Sequence, residues 1–348
     1  MAYIATHGLE FIEFATTDTR DLQVCLQSLG FQMVGKHKHK DVALFQQNDI
    51  NVILNRGKQT CIASKFVAEH GPSAYAVAFR VDDVIDAVGT AKSLGVEIVQ
   101  EPVGPMELTI PAIRGVGGTL IYLVDRYGEH TIYDVDFDLD MSKFNKVKGL
   151  INQIDHVTQN VQAGSLDRHV DFYKRLFGFE ELQHFNIQGQ FSGLRSTALK
   201  SPNGLIKIPL NEPTDEKSQI KEFLDEFKGD GVQHIAFHTT DIFKAVNQYR
   251  WQGGDFQSTP GTYYDAIAHR VGTHHESLES MRRENILLDG NTEEGFLLQI
   301  FTNNVVGPMF FELIQRKGNV GFGEGNFQAL FESIERDQVN RGVVDAVH

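Results

Sequence analysis

Ala78-Phe79-Arg80-Val81-Asp82-Asp83-Val84-Ile85-Asp86-Ala87-Val88 recurs without a gap, in altered form, as Ala236-Phe237-His238-Thr239-Thr240-Asp241-Ile242-Phe243-Lys244-Ala245-Val246. Each stretch opens on apolar residues and passes an aspartate suited to cap a helix. Each then continues into an amphipathic segment that ends near a glycine, Gly95 or Gly253. Strand, turn and helix are predicted in both, and such self-similarity points to duplicated structural units. Two more pairs extend the repeat. Gly8-Leu9-Glu10-Phe11-Ile12-Glu13-Phe14 matches Gln153-Ile154-Asp155-His156-Val157-Thr158-Gln159, and each is followed by a helical pattern closing on Gly-Phe, at Gly30-Phe31 and Gly178-Phe179. Ile121 to Gly128 matches Phe311 to Gly318, both apolar strands that run into a charged turn. The predicted fold class is α+β. It has two similar halves, 1–150 and 151–348, each a pair of βαβββ modules forming an open, barrel-like mixed sheet with helices outside.

Composition agrees with two soluble units. The chain has 348 residues, against roughly 150 per domain. With 46 acidic and 32 basic residues its formal charge is −14, which disfavours a nucleic acid partner. The basic run Lys36-His37-Lys38-His39-Lys40 is expected to be a solvated loop. Cys25 and Cys61 show no metal or disulfide spacing, the N-terminus lacks the pattern of a secretory signal, and no uninterrupted apolar stretch is long enough to span a bilayer. A cytoplasmic location away from membranes is expected.

The repeat also exposes a difference between the halves. Where the second half has His156, His234 and Glu312, the first has Phe11, Ala76 and Tyr122. Two imidazoles and a carboxylate at matching strand positions make a two-His-one-carboxylate metal site, with the first half a ligand-free copy. His234 and His238 lie about 13 Å apart along the strand at ~3.3 Å per residue, too far to share one ion, and mid-strand His234 is better placed than His238 at the strand end. A carboxylate in an apolar strand such as Phe310 to Ile314 needs a partner, and a metal is the simplest one. The strand from Gly295 to Thr302 turns at Asn303 to Pro308 into the strand of Glu312, which should bring Gln299 and Phe301 to the same pocket.

Several segments together carry a family resemblance: Ile154-Asp155-His156-Val157, Ile208-Pro209-Leu210-Asn211-Glu212-Pro213, Lys217-Ser218-Gln219-Ile220, Val232-Gln233-His234-Ile235-Ala236, Leu298-Gln299-Ile300-Phe301-Thr302, Phe311-Glu312-Leu313-Ile314-Gln315-Arg316 and Gly321-Phe322-Gly323-Glu324-Gly325-Asn326-Phe327. In this order, over nearly the whole chain, they resemble the 4-hydroxyphenylpyruvate dioxygenases of the vicinal-oxygen-chelate superfamily. The resemblance implies Fe(II) on His156, His234 and Glu312 and conversion of 4-hydroxyphenylpyruvate and O2 to homogentisate and CO2 in tyrosine catabolism. It implies polar substrate contacts from Ser196, Asn211, Gln219, Gln233 and Gln299, apolar walls from Pro209, Phe301 and Phe322, and assembly as a homo-oligomer. It further implies a C-terminal helix over Ala329 to Arg336 that closes the site, with Gly323, Asn326 and Phe327 at the gate. Gln233 is the awkward member. It neighbours His234 on one strand, so both reach the pocket only if the strand is bulged there.

Hydroxymandelate synthase is the nearest rival, since it resembles the same family in fold, iron and substrate; Phe301 favours ring attack over it. An extradiol dioxygenase or a glyoxalase would share the module, but the Gln and Asn set argues against both. A metal-free ligand-binding or resistance protein of this fold is the non-enzymatic alternative, and the retained triad argues against it.

Overall fold

The protein is described here by a computed structural model covering residues 3–57, 61–188 and 193–330. The first half contributes strands β1 (Leu9–Ala15), β2 (Gln32–His37), β3 (Val42–Gln47), β4 (Ile50–Asn55), β5 (Ser73–Arg80), β6 (Ile98–Val99), β7 (Ala112–Arg114), β8 (Leu120–Val124) and β9 (Phe137–Leu139). The second contributes β10 (Ile151–Asn160), β11 (Glu180–Gln188), β12 (Gly193–Lys200), β13 (Lys207–Pro213), β14 (Gly231–Thr239), β15 (Leu287–Asn291), β16 (Gly295–Phe301) and β17 (Phe310–Lys317). The sheets run β6-β7-β8-β5-β1-β4-β3-β2-β9 and β11-β12-β13-β10-β14-β17-β16-β15. In every βαβββ module the last strand returns parallel to the first, as β1 with β4, β5 with β8, β10 with β13 and β14 with β17. The opening strands of the two modules meet antiparallel at the centre of each sheet.

Local chemistry sets the turns that the repeat predicts. Asp83 accepts from the backbone N–H groups of Ile85 and Asp86 at 2.7 and 2.9 Å, and Asp241 from that of Lys244 at 3.1 Å, so each carboxylate satisfies N–H groups at a helix start. Helix Leu166–Phe177 buries Leu166, Val170, Tyr173, Leu176 and Phe177 on one stripe. It ends at Gly178, whose φ of 68° is left-handed and whose added Cβ would meet the Tyr3 ring at 2.8 Å.

Alternation along the strands separates two environments. Ile12, Phe14, Phe79 and Leu123 join Val157, Phe177, Phe237 and Phe311 in one core shared by both halves. The rings of Phe14 and Phe311 stand 6.0 Å apart, and those of Phe31 and Phe237 5.6 Å. The opposite face differs between halves. In the first it is lined by Phe11, Leu44, Ile53, Ala78, Tyr133 and Phe137 among others, whereas in the second the corresponding apolar cluster is Ala236, Leu297 and Ile314. That second face carries the candidate ligands.

Three expectations need correction. Lys36 and His37 belong to β2, because His37 packs on Phe137, and only 38–41 form the exposed bend. The C-terminal helix begins earlier than Ala329 and covers 324–330; its continuation over 331–336 lies outside the described residues. Helices Gly261–Arg270 and Leu278–Glu284 stand between β14 and β15, where the repeat predicts none.

Candidate functional site

The strand ladders carry the three candidate ligands to one point. His156 pairs with Ala236, Ala236 with Glu312, and His234 with Thr158. Glu312 Oε2 lies 3.3 Å from both His156 Nε2 and His234 Nε2, and all three side chains are buried. Among the described residues no other three His, Cys, Asp or Glu side chains bring possible ligand atoms within 4.8 Å of one another. The ladders equally place Phe11 opposite Ala78 and Ala78 opposite Tyr122. Phe11, Ala76 and Tyr122 therefore occupy the counterpart positions, with the Phe11 and Tyr122 rings packed at 5.7 Å.

The far nitrogen of each imidazole is held from behind. His156 Nδ1 is 2.8 Å from Asp155 Oδ1, and His234 Nδ1 is 3.0 Å from Gln233 Oε1. With Nδ1–H bonded outward, each Nε2 presents its lone pair to the shared point, the arrangement expected of imidazole ligands. The Gln299 amide donates to Glu312 Oε1 at 3.3 Å. Donors roughly 2.1 Å from one ion stand about 3.0–3.4 Å apart between right-angle and tetrahedral geometry, so the residues present fit a divalent metal.

Electrostatics follow from burial and neighbours. Burial opposes ionisation of Glu312, but the two imidazoles outweigh it and hold the carboxyl below its usual range. Burial dominates at His234 and lowers it; at His156 it is overcome by Glu312 and Asp155, which raise it. Burial would raise Asp155 too, but Arg316 and His156 keep it well below the ordinary carboxylate range. Arg316 donates to both Asp155 oxygens at 2.7 Å and to the carbonyls of Asn319 and Gly321 at 3.1 and 2.6 Å. Asp155 and Arg316, absent from the expected site, thus tie a candidate ligand to the C-terminal segment.

Beside the triad lies a cavity of about 50 Å³ whose walls include Ser196, Pro209, Asn211, Gln219, Gln233 and Phe322. Gln233 reaches it as the strand rule requires. Thr158 pairs with His234 and Gln159 with Val232, so Gln233 is the extra residue of a bulge. Two expected contacts lie elsewhere. Gln299 sits behind Glu312, and Phe301, paired with Glu312 across the hairpin, faces an adjoining open groove with Phe310 and Phe327. The groove meets the cavity at Gln219, Gln233 and Phe327. Thr158, Ser218, Phe185 and Glu324 also line the cavity. Thr158 follows His156 by two on its strand and so shares its face, the one signal that would have found it.

The three gate positions meet this network. Asn326, 1% exposed, donates to Gln299 Oε1 at 2.9 Å, and its own Oδ1 lies 2.5 Å from the Tyr263 hydroxyl and 3.1 Å from Arg270 Nη2. Gly323 has φ 78°, and an added Cβ would stand 1.7 Å from Gln299 Oε1. The Phe327 ring is 6.5 Å from that of Phe301.

Known proteins bear on this geometry. The family described as "Hydroxyphenylpyruvate dioxygenase, HPPD, N-terminal" matches residues 2–138, and the "Glyoxalase/Bleomycin resistance protein/Dioxygenase superfamily" matches 153–268. The chain is 48% identical over 346 residues to a 4-hydroxyphenylpyruvate dioxygenase of Pseudomonas aeruginosa, covering 98% of this chain and 97% of that protein. It is 47% identical to hemolysin VllY of Vibrio vulnificus, with 98% of each covered. A solved structure of a 4-hydroxymandelate synthase variant from Streptomyces coelicolor superposes with a TM-score of 0.83 at 27% identity, over 96% of this chain and 100% of that one.

Proposed function

The chain belongs to the 4-hydroxyphenylpyruvate dioxygenase family, and on that premise we propose how its residues divide the work of converting 4-hydroxyphenylpyruvate and O2 to homogentisate and CO2. The observation that carries the assignment of residues is the buried convergence of His156, His234 and Glu312 beside a cavity with polar walls. Residues 151–348 form the catalytic domain and 1–150 a domain without metal ligands. The donor set, neutral imidazoles and one carboxylate, suits ferrous iron. When bound, iron supplies positive charge for an anionic 2-oxoacid, coordination positions left free by three protein ligands, and a redox-active centre for O2.

The chain's own side chains do the rest. Asp155 and Gln233 fix both imidazoles with Nε2 inward, and Gln299 orients the Glu312 carboxylate. Ser196, Asn211, Gln219 and Gln233 offer hydroxyl and amide groups to hold the substrate phenol, while Pro209 and Phe322 wall its ring and Phe301 covers the adjoining groove against water. The cavity of about 50 Å³ is smaller than the ~150 Å³ that accommodates benzene. Entry of an aryl oxoacid therefore requires the segment from Phe322 through 324–330 to move, with Gly323, Asn326 and Phe327 as the gate. No described helix is long and apolar enough to cross a membrane. Both cysteines are free, which accords with a cytoplasmic setting.

The test is product identification after anaerobic loading with Fe(II) and exposure to 4-hydroxyphenylpyruvate and O2. Homogentisate with one CO2 per O2 is expected. 4-Hydroxymandelate as main product would transfer the protein to the synthase activity, and absence of both would overturn the assignment.

A further inference from the structure

The inner face of the first sheet encloses its own cavity, of about 120 Å³. The ladders relate it to the site in the second half. Glu13 pairs with Ala76 as Thr158 pairs with His234, and Asn55 pairs with Ala15 as Asn211 pairs with Asn160. Tyr75 is the extra residue of a bulge, as Gln233 is. Thus Glu13, Asn55, Tyr75 and Tyr122 stand where the other half has Thr158, Asn211, Gln233 and Glu312, and all four line the cavity. A merely vestigial barrel would be served better by apolar side chains at these positions, because each buried polar group carries a desolvation cost.

Their bonding leaves acceptors in excess. Glu13 is 6% exposed and accepts from Asn55 Nδ2 at 2.7 Å and from the Tyr75 hydroxyl. The Tyr75 and Tyr122 hydroxyls lie 3.3 Å apart. Asn55 Oδ1 is buried and has no hydrogen-bond partner among the described residues. Lys40, also on the cavity wall, is neutralised by Glu107 at 2.9 Å, whereas Glu101 adds a second carboxylate. Burial pushes the Glu13 carboxyl up to about 7, a penalty that an adjacent cation would relieve. The carboxylates Glu13, Glu101 and Asp136 on the wall outnumber the one ammonium, Lys40, and burial lowers the His37 imidazole toward its neutral form, so the cavity disfavours anions. Its volume falls a little short of the ~150 Å³ that accommodates benzene, so a small amine enters with slight movement of the wall, and the aromatic walls favour a cation held against them.

We propose that the N-terminal half binds a small primary ammonium compound with an apolar body, its nitrogen on Glu13 and Asn55 and its body against Phe11 and Leu120, separate from the metal centre. Benzylamine is the probe, with benzyl alcohol and benzoate as neutral and anionic counterparts, titrated calorimetrically into the full-length protein. Benzylamine should saturate one site and both counterparts should bind at least about tenfold more weakly, as should benzylamine itself to Glu13→Gln, which keeps shape but loses charge. Ala112→Leu, filling the cavity, should abolish binding, and both variants should still make homogentisate. If either variant does not fold, nuclear Overhauser contacts in the wild type decide between the benzylamine methylene near Tyr75 and Leu120 and no such contact. The proposal is overturned by unchanged binding in folded Glu13→Gln, by displacement of benzylamine by 4-hydroxyphenylpyruvate, or by no saturation up to about 10 mM, a weakness that rules out a built site.

Discussion

Replacing Arg316 by glutamine should damage stability and metal affinity together. Asp155 is 3% exposed, and Arg316 supplies both of its 2.7 Å charge-assisted hydrogen bonds. Removing one partner of a buried pair costs about 3–5 kcal/mol. Lys207, with its ammonium 3.8 Å from Asp155 Oδ2, remains to compensate in part, which favours the lower end. At roughly 2–4 °C per kcal/mol for a unit of this size, Tm should fall by about 6–12 °C. Asp155 also orients His156, and loss of such an outer contact typically weakens a metal about 10–100-fold. Asp155 has its folded pKa well below the ordinary 3.8. Its stabilising effect is therefore present above the unfolded value and lost as pH falls toward the folded one, so the gap between variant and wild type should begin to close below about pH 4. Near-ultraviolet dichroism on heating and anaerobic competition against a chromophoric chelator give both numbers. A Tm within 2 °C of wild type together with less than a threefold change in affinity, roughly the resolution of such comparisons, would refute the reasoning.

Three further outcomes follow from single features. Gly323→Ala places a methyl against Gln299 Oε1 at a left-handed φ; turnover should drop more than about tenfold, while chelator competition shows metal affinity within a few-fold of wild type. Glu13 titrates near 7 when folded against 4.5 unfolded, so the native state holds the extra proton between them and stability falls as pH rises through that window. Glu13→Gln should remove that slope and gain roughly 3 kcal/mol at pH 8, seen by urea unfolding at several pH values. Chelation of bound metal from protein held at about a hundred times its dissociation constant should lower stability by about 2.7 kcal/mol, measurable as a Tm shift that added Fe(II) reverses.

Much of this architecture was legible because it is written twice. The matched Asp83 and Asp241 caps, the Gly-Phe helix ends and the alternation of β10, β14 and β17 are local, and comparing the copies exposed the triad. What stayed hidden is non-local or belongs to one half. The Asp155 to Arg316 pair joins residues 161 apart in sequence, and helix Gly261–Arg270 has no counterpart, so the hold of Tyr263 and Arg270 on Asn326 could not be inferred. Gln299 was expected in the pocket because hairpin alternation gives its face but not its depth. The repeat matches Glu13 to Thr158, but Asn55 lies outside the matched segments, and only the ladders place it where the other half has Asn211.

The central claim is that one metal is held by the second half alone. Anaerobic titration with Fe(II) should therefore give one equivalent per wild-type chain and at least about a hundredfold weaker binding in His234→Ala, which loses one of three ligands. Two equivalents per wild-type chain, or equal affinity in the variant, would contradict it.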